Sequence, residues 1–226
     1  MKSLRYEVKM TCSDLHLPNV RAWVNMHPEV FIEAYPPRRV NSIYFDTYDI
    51  GCLDQNLIGI SERAKARFRW YGEDCSRVEG ILELKRKENQ LGRKELFPVP
   101  APLDLGAISW STFMQRLREQ ISGPTAVWMA GAEQPTLITR YMREYYESRD
   151  HQVRLTIDYD QIAHEQITHS APNLEVRAPI PSLIVVEVKA EQALHRRVSN
   201  VLSSFPIQVG RNSKYVNGVL DSFCFL

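Results

Sequence analysis

Arg63, Lys65, Arg67 and Arg69 take every second position of the stretch Glu62-Arg63-Ala64-Lys65-Ala66-Arg67-Phe68-Arg69-Trp70-Tyr71. Guanidinium forks match phosphate oxygens two at a time, and lysines add point charges along a row. Such a row suits a dense, extended anion, a polyphosphate or a nucleoside triphosphate. Strand side chains alternate between faces, which sets these cations on one face and Ala64, Ala66, Phe68 and Trp70 on the other. Taken alone, a half-buried antiparallel strand with a solvated charged face accounts for the alternation.

The pattern recurs, however. Residues 4–10 carry Arg5, Glu7 and Lys9 on one parity, 80–87 carry Glu83, Lys85 and Lys87, 153–160 carry Arg154, Thr156 and Asp158, and 182–189 carry Glu187 and Lys189. Residues 40–47 set Ser42, Tyr44 and Asp46 together, and 135–148 set Tyr141, Arg143 and Tyr145 together. The collected bases are Arg5, Lys9, Arg63, Lys65, Arg67, Arg69, Lys85, Lys87, Arg143, Arg154 and Lys189; the acids are Glu7, Asp46, Glu83, Asp158 and Glu187. Buried dry, such a cluster costs several kcal/mol per ion, so the face is wet or filled by an anion. Carboxylates are hard ligands for Mg²⁺ or Mn²⁺, which bridge protein to phosphate, and Glu187 and Glu83 lead the candidates, followed by Glu7 and Asp158. For each acid except Glu187 a salt bridge to a neighbouring base weighs equally; Glu187 lies deep in an apolar run, which favours metal.

The elements that position these groups read as strands over 4–10, 40–47, 62–71, 80–87, 135–148, 153–160 and 182–189. Helices are expected over 17–26, 105–121, 126–130, 191–205 and 216–226, with Pro18 in a first turn and Pro206 as a stop. Residues 48–59 read as a loop holding one helical turn and 161–181 as a short strand with loops. Residues 88–106, with Gly92, Pro98, Pro100 and Pro102, read as an irregular excursion in which Arg93 and Lys94 are exposed structural charges. Strand runs with inserted helices predict an α+β domain over 1–226, and inward charges on alternate positions predict an antiparallel closed β-barrel with surrounding helices.

A net charge of +1 over 226 residues gives no global pull toward nucleic acid or membrane, so an anion site must arise from local segregation. Phe68 and Trp70 fall opposite the cations rather than among them, which disfavours a base-stacking groove, and no nucleic acid is expected. Cys12, Cys52, Cys75 and Cys224 lack metal spacing, the six histidines do too, and no signal peptide is evident; reduced thiols in the cytoplasm are expected. The longest apolar runs fall far short of the roughly 20 residues of a membrane span.

Together the stretches Arg5-Tyr6-Glu7-Val8-Lys9, Ser42-Ile43-Tyr44-Phe45-Asp46-Thr47, Arg63 to Trp70, Leu82-Glu83-Leu84-Lys85, Tyr141-Met142-Arg143, Arg154 to Asp158, Glu187-Val188-Lys189 and Ser213-Lys214-Tyr215 resemble the VTC domain. This is the polyphosphate polymerase domain of the vacuolar transporter chaperone complex and its stand-alone bacterial relatives, within the CYTH-like triphosphate tunnel metalloenzymes. The resemblance implies a tunnel barrel whose phosphate ligands are Lys9, Arg63, Lys65, Arg67, Arg69, Lys85, Tyr141, Arg143, Arg154 and Lys214, with Glu187 holding a metal. Arg5, Lys87 and Lys189 join the phosphate set from strand parity. Lys214, an ordinary loop lysine by pattern alone, becomes a site residue, and Lys9, Arg67, Arg69 and Lys214 become the catalytic cations. The implied activity transfers the γ-phosphoryl of ATP to polyphosphate with Mn²⁺ or Mg²⁺; a triphosphate hydrolase and a non-catalytic polyphosphate-binding module remain alternatives. Arg5 stands where many tunnel triphosphatases carry the first Glu of Glu-x-Glu-x-Lys, which points away from two-metal hydrolysis. The membrane segment and phosphate-sensing domain of the eukaryotic complex are not expected in this chain.

Overall fold

The computed structural model describes residues 5–88, 91–106, 108–207, 209–210 and 212–223. Its strands are β1 (Arg5–Ser13), β2 (Ile32–Asp46), β3 (Glu62–Tyr71), β4 (Arg77–Val78), β5 (Gly80–Glu88), β6 (Leu91–Pro98), β7 (Leu103–Asp104), β8 (Gln134–Glu147), β9 (Arg154–Glu165) and β10 (Leu183–Glu191). The helices are α1 (Leu17–Met26), α2 (Gly51–Ile58), α3 (Trp110–Glu119), α4 (Pro124–Met129), α5 (His195–Ser203) and α6 (Lys214–Phe223), and short 3-10 turns lead into α1 and α5. The class is α+β. The main sheet has the order β1-β10-β9-β8-β2-β3-β5-β6, and the ladders β1·β10, β10·β9, β2·β3, β3·β5 and β5·β6 are antiparallel.

The chain divides into two compact units. The first comprises Met1–Arg39, Tyr141–Gln161 and Pro181–Ser213. Here alternation does what the sequence implies: Val8 and Met10 of β1, Val186 and Val188 of β10, and Leu155 and Ile157 of β9 share one face. Val20 and Val24 of α1 and Val198 and Val201 of α5 cover it. Each pair of helical residues recurs within a turn, so each helix buries one stripe.

The second unit comprises Val40–Arg140, Ile162–Ile180 and Lys214–Leu226. Ile43 and Phe45, Phe68 and Trp70, and Leu82 and Leu84 line the packed face of β2, β3 and β5. Trp110, Phe113, Met114 and Leu117 of α3 pack onto it at helical spacing, after the Ser109 hydroxyl caps the helix by accepting from the Thr112 amide at 3.2 Å. Fully burying a large apolar side chain contributes on the order of 1.5–3 kcal/mol, so this face anchors the charged one behind it. Gly80, opposite Trp70, admits no side chain, because a Cβ there would lie 2.4 Å from the Arg69 carbonyl oxygen and 2.6 Å from the Phe68 ring.

Several expectations are corrected. Residues 88–106 are not an irregular excursion: β6 pairs with β5 from Ile81↔Pro98 to Glu88↔Leu91, and β7 pairs with β4. The prolines punctuate the strand's end rather than its body, since an edge strand tolerates a missing donor. Residues 48–59 hold the full helix α2, and β2 runs through Pro36-Pro37. β9 continues past residue 160 by bending at Asp160, whose φ is 48°. Lys214 opens α6 instead of sitting in a loop. Nor does hydrogen bonding among the described residues close the sheet: β1 and β6 are its two ends. The outer side of β1 is occupied by a bridge from Met10 to Val209 and by the Gly210 amide, which donates to the Lys9 carbonyl oxygen at 3.0 Å.

Candidate functional site

In the second unit, the face opposite the aromatic core carries the cationic row. Register places Ser42, Arg69 and Ile81 side by side across β2, β3 and β5, then Tyr44, Arg67 and Glu83. The next row holds Lys65, Lys85 and Lys94 on β3, β5 and β6. Glu83 is the pivot. Arg67 Nε donates to its Oε2 at 2.5 Å, Lys94 Nζ to its Oε1 at 2.7 Å, and Arg69 Nη1 lies 3.6 Å from Oε1. Burial pushes the Glu83 carboxyl up, but Arg67, Arg69 and Lys94 outweigh it and hold the group at about 2. Tyr44, also buried, lies 3.3 Å from Arg67 Nη1. Burial raises its phenol, and the charges of Arg67 and Arg69 bring it down to about 8.

Behind this row Asp46 ties strand to helix. Its carboxylate accepts from the backbone amides of Thr47 at 2.7 Å, Cys52 at 2.8 Å and Leu53 at 3.1 Å, so it caps α2 from a distance. It also accepts from the Tyr215 hydroxyl, whose ring stacks on Tyr44 with centroids 5.3 Å apart. Tyr215 follows Lys214 directly, and Lys65 Nζ sits 5.5 Å from the Tyr215 ring centroid. Asp46, grouped by parity with the inward acids, is thus the anchor of the elements that carry Lys65 and Lys214.

In the first unit, the face opposite the aliphatic core has its own rows. Glu7, Lys189 and Arg154 lie side by side across β1, β10 and β9, followed by Lys9, Glu187 and Thr156. Lys189 Nζ reaches Glu187 Oε2 at 2.5 Å; Lys9 Nζ lies 3.7 Å from both Glu187 and Glu7. Lys9 Nζ also donates to the Asn212 carbonyl oxygen at 3.1 Å. Burial works against ionisation of Glu187, yet a hydrogen bond with Glu7 and the charges of Lys189, Lys9 and Arg143 hold it well below the usual carboxylate range. Arg143 is clamped to Asp158 through Nε at 2.5 Å and Nη2 at 2.7 Å, and its guanidinium lies 5.2 Å from the ring centroid of the buried Tyr141.

The structure therefore gathers Arg67, Arg69, Lys65, Lys85 and Glu83 in one cluster, and Lys9, Glu7, Glu187 and Lys189 in another. Arg63 sits at the start of β3, where Nη1 donates to the Ile60 carbonyl oxygen at 3.0 Å; Lys85 and Arg154 are exposed. The side chains of Arg5 and Lys87, and Cys224, lie outside the described residues. Lys94 is the residue that sequence reasoning set aside: it belongs to the Glu83 cluster, and only the register of β6 against β5 could have revealed it.

Among the described residues no group of three or more His, Cys, Asp or Glu is placed to hold a metal. Two carboxylates, Glu7 and Glu187, face the same pair of ammonium groups: Lys9 Nζ lies 3.7 Å from each, and Lys189 Nζ lies 2.5 Å from Glu187 and 3.7 Å from Glu7. Carboxylate oxygens are hard ligands of the kind Mg²⁺ and Mn²⁺ take, and these ions commonly fill their other positions with phosphate oxygens and water. Glu83 and Asp158 have their oxygens engaged by guanidinium or ammonium groups, as Glu187 has by Lys189 and Lys9.

The fold has a counterpart in a Vibrio parahaemolyticus structure described as a "putative adenylate cyclase", with a TM-score of 0.52, 10% sequence identity, and coverage of 95% of this chain and 97% of that one. No curated protein matches the sequence. No helix among the described residues is long and apolar enough to cross a membrane. The profile of the VTC domain matches residues 4–223, nearly the whole length, in keeping with the strand faces just described. The chain belongs to the VTC domain family.

Proposed function

We propose that the protein is an ATP-dependent polyphosphate polymerase. The observation that carries the reading is the row Lys65, Lys85 and Lys94, directly opposed on three adjacent strands with Arg67 and Arg69 beside it. Like charges directly opposite one another destabilise a sheet; Glu83 offsets part of that charge at Lys94, and a polyanion laid along the row adds to the offset. The tunnel itself comes from the family resemblance, not from the hydrogen bonding of the sheet.

In the reaction, a terminal phosphate oxygen of the polymer attacks the γ-phosphorus of ATP, the bond from that phosphorus to the β,γ-bridging oxygen breaks, and ADP leaves with its electron pair. By the family resemblance, Arg67, Arg69, Lys9 and Lys214 are the cations that bind phosphoryl oxygens and offset charge that spreads over them as the group transfers. Mn²⁺ or Mg²⁺, held by Glu187 with Glu7, would supply further charge neutralisation on phosphate oxygens. An anionic acceptor needs no base to deprotonate it. Hydrolysis would call for a group to orient or activate water, and Glu83 and Asp158 are poorly suited: their oxygens are already engaged by the cations around them. That contrast favours transfer over hydrolysis.

Incubating the purified protein with ATP and Mn²⁺, with and without a short polyphosphate primer, tests the proposal when polymer, ADP and orthophosphate are resolved together. Polymer appearing with ADP is the expected result. Orthophosphate without polymer identifies a hydrolase, and no turnover despite tripolyphosphate binding identifies a binding module.

A further inference from the structure

Two polar atoms in the Lys9 and Glu187 cluster take no part in the chemistry above. Thr156 Oγ1 and Asn212 Oδ1 are shut off from solvent and make no hydrogen bond within the protein. Native proteins pair the great majority of buried polar groups, so each such atom calls for a reason. Both belong to the same neighbourhood by independent routes. Thr156 lies directly across from Glu187, which lies directly across from Lys9. Asn212 approaches from the segment before α6, where its backbone carbonyl accepts from Lys9 Nζ.

We infer that Thr156 and Asn212 are neutral phosphoryl-binding residues, a pair beside Lys9 that takes hydrogen-bonding contact with one phosphate group of the substrate. The inference rests on the polyphosphate reading above. The Thr156 hydroxyl donates to a phosphate oxygen. Asn212 donates through Nδ2, since the two ends of a carboxamide exchange by a flip of the side chain. The chemistry complements the surrounding cations. Lysines and arginines attract a polyanion from any direction and at any register, whereas a hydroxyl and an amide donate along fixed directions. A pair of neutral donors therefore sets which phosphoryl unit stops beside Lys9, while the charges supply attraction.

The test is calorimetric titration of the full chain with inorganic tripolyphosphate, in EDTA and again with Mn²⁺, using wild type, Thr156→Val, Thr156→Ser and Asn212→Asp. Loss of one hydrogen bond to a charged phosphate predicts about tenfold weaker binding or more for Thr156→Val, in EDTA as well as in Mn²⁺, with affinity retained in Thr156→Ser. Asn212→Asp places an anion against the phosphate and is expected to weaken binding at least as much. The thermal midpoint of ligand-free Thr156→Val should not fall, because the hydroxyl removed makes no bond in the protein. Unchanged tripolyphosphate affinity in Thr156→Val overturns the inference while leaving the function reading intact. A Thr156→Val loss confined to Mn²⁺, or tighter Mn²⁺ binding by Asn212→Asp, overturns it in favour of cation contacts. Failure of the wild type to bind tripolyphosphate removes the function reading, and this inference with it.

Discussion

Replacing Glu83 by Gln removes a carboxylate that Arg67, Arg69 and Lys94 surround. The ionised carboxylate is buried, yet its pKa falls from an ordinary 4.5 to about 2. That drop corresponds to about 3 kcal/mol of folding stability at neutral pH. Because the folded-state value is depressed, the contribution is complete above the unfolded value and is lost as pH falls through the folded one. The difference between wild type and Glu83→Gln should thus be about 3 kcal/mol near pH 7 and shrink as the pH drops from about 4.5 toward 2. Removing the counter-charge also leaves the cations more attractive to a polyanion. Urea denaturation with and without tripolyphosphate reads both effects: the variant should be less stable alone and gain more from tripolyphosphate than wild type does. A Glu83→Gln protein as stable as wild type, or one that tripolyphosphate stabilises less, would refute the reasoning.

Tyr44, brought to about 8 by Arg67 and Arg69 against its burial, should titrate ahead of ordinary tyrosines in an ultraviolet pH titration. Between about 8 and the ordinary 10 the folded state releases its proton first, so stability rises with pH while the new negative charge weakens tripolyphosphate binding; Tyr44→Phe should remove that alkaline loss of affinity. Glu187→Gln should depress Mn²⁺-dependent turnover far more than tripolyphosphate binding in EDTA, and equal loss of both would argue against a metal role. Asp46→Asn weakens the charge-assisted capping of α2 and the Tyr215 contact, so chemical denaturation should show a loss of about 2 kcal/mol.

What the sequence discloses follows the range of its signals. Parity at Arg63 to Trp70 sorted cations from core residues correctly, because Phe68 and Trp70 are almost fully buried and the alternation is a local property of a strand. Parity could not say which residues stand opposite one another. The Lys65, Lys85 and Lys94 row depends on the register of β3, β5 and β6, set by pairing between distant segments. Lys94 was hidden for a second reason: Gly92 and Pro98 carry loop signals that tertiary pairing overrides on an edge strand, while Pro100 and Pro102 mark the irregular stretch that follows it. Asp46 shows the converse, a correct parity with a different role, since capping a helix that begins five residues on leaves no pattern that distinguishes it from an inward acid. Lys214 became legible only through family resemblance. Its place at the first position of α6, beside the Tyr215 that meets Asp46, comes from contacts between segments some 170 residues apart.

Most directly, ATP labelled in its γ-phosphate can be supplied with Mn²⁺ and a polyphosphate primer of defined length, and the label followed by electrophoresis. Polymerase chemistry predicts label in a primer lengthened by one phosphate, with one ADP formed for each phosphate added. Label recovered as orthophosphate, with the primer unchanged, would contradict it.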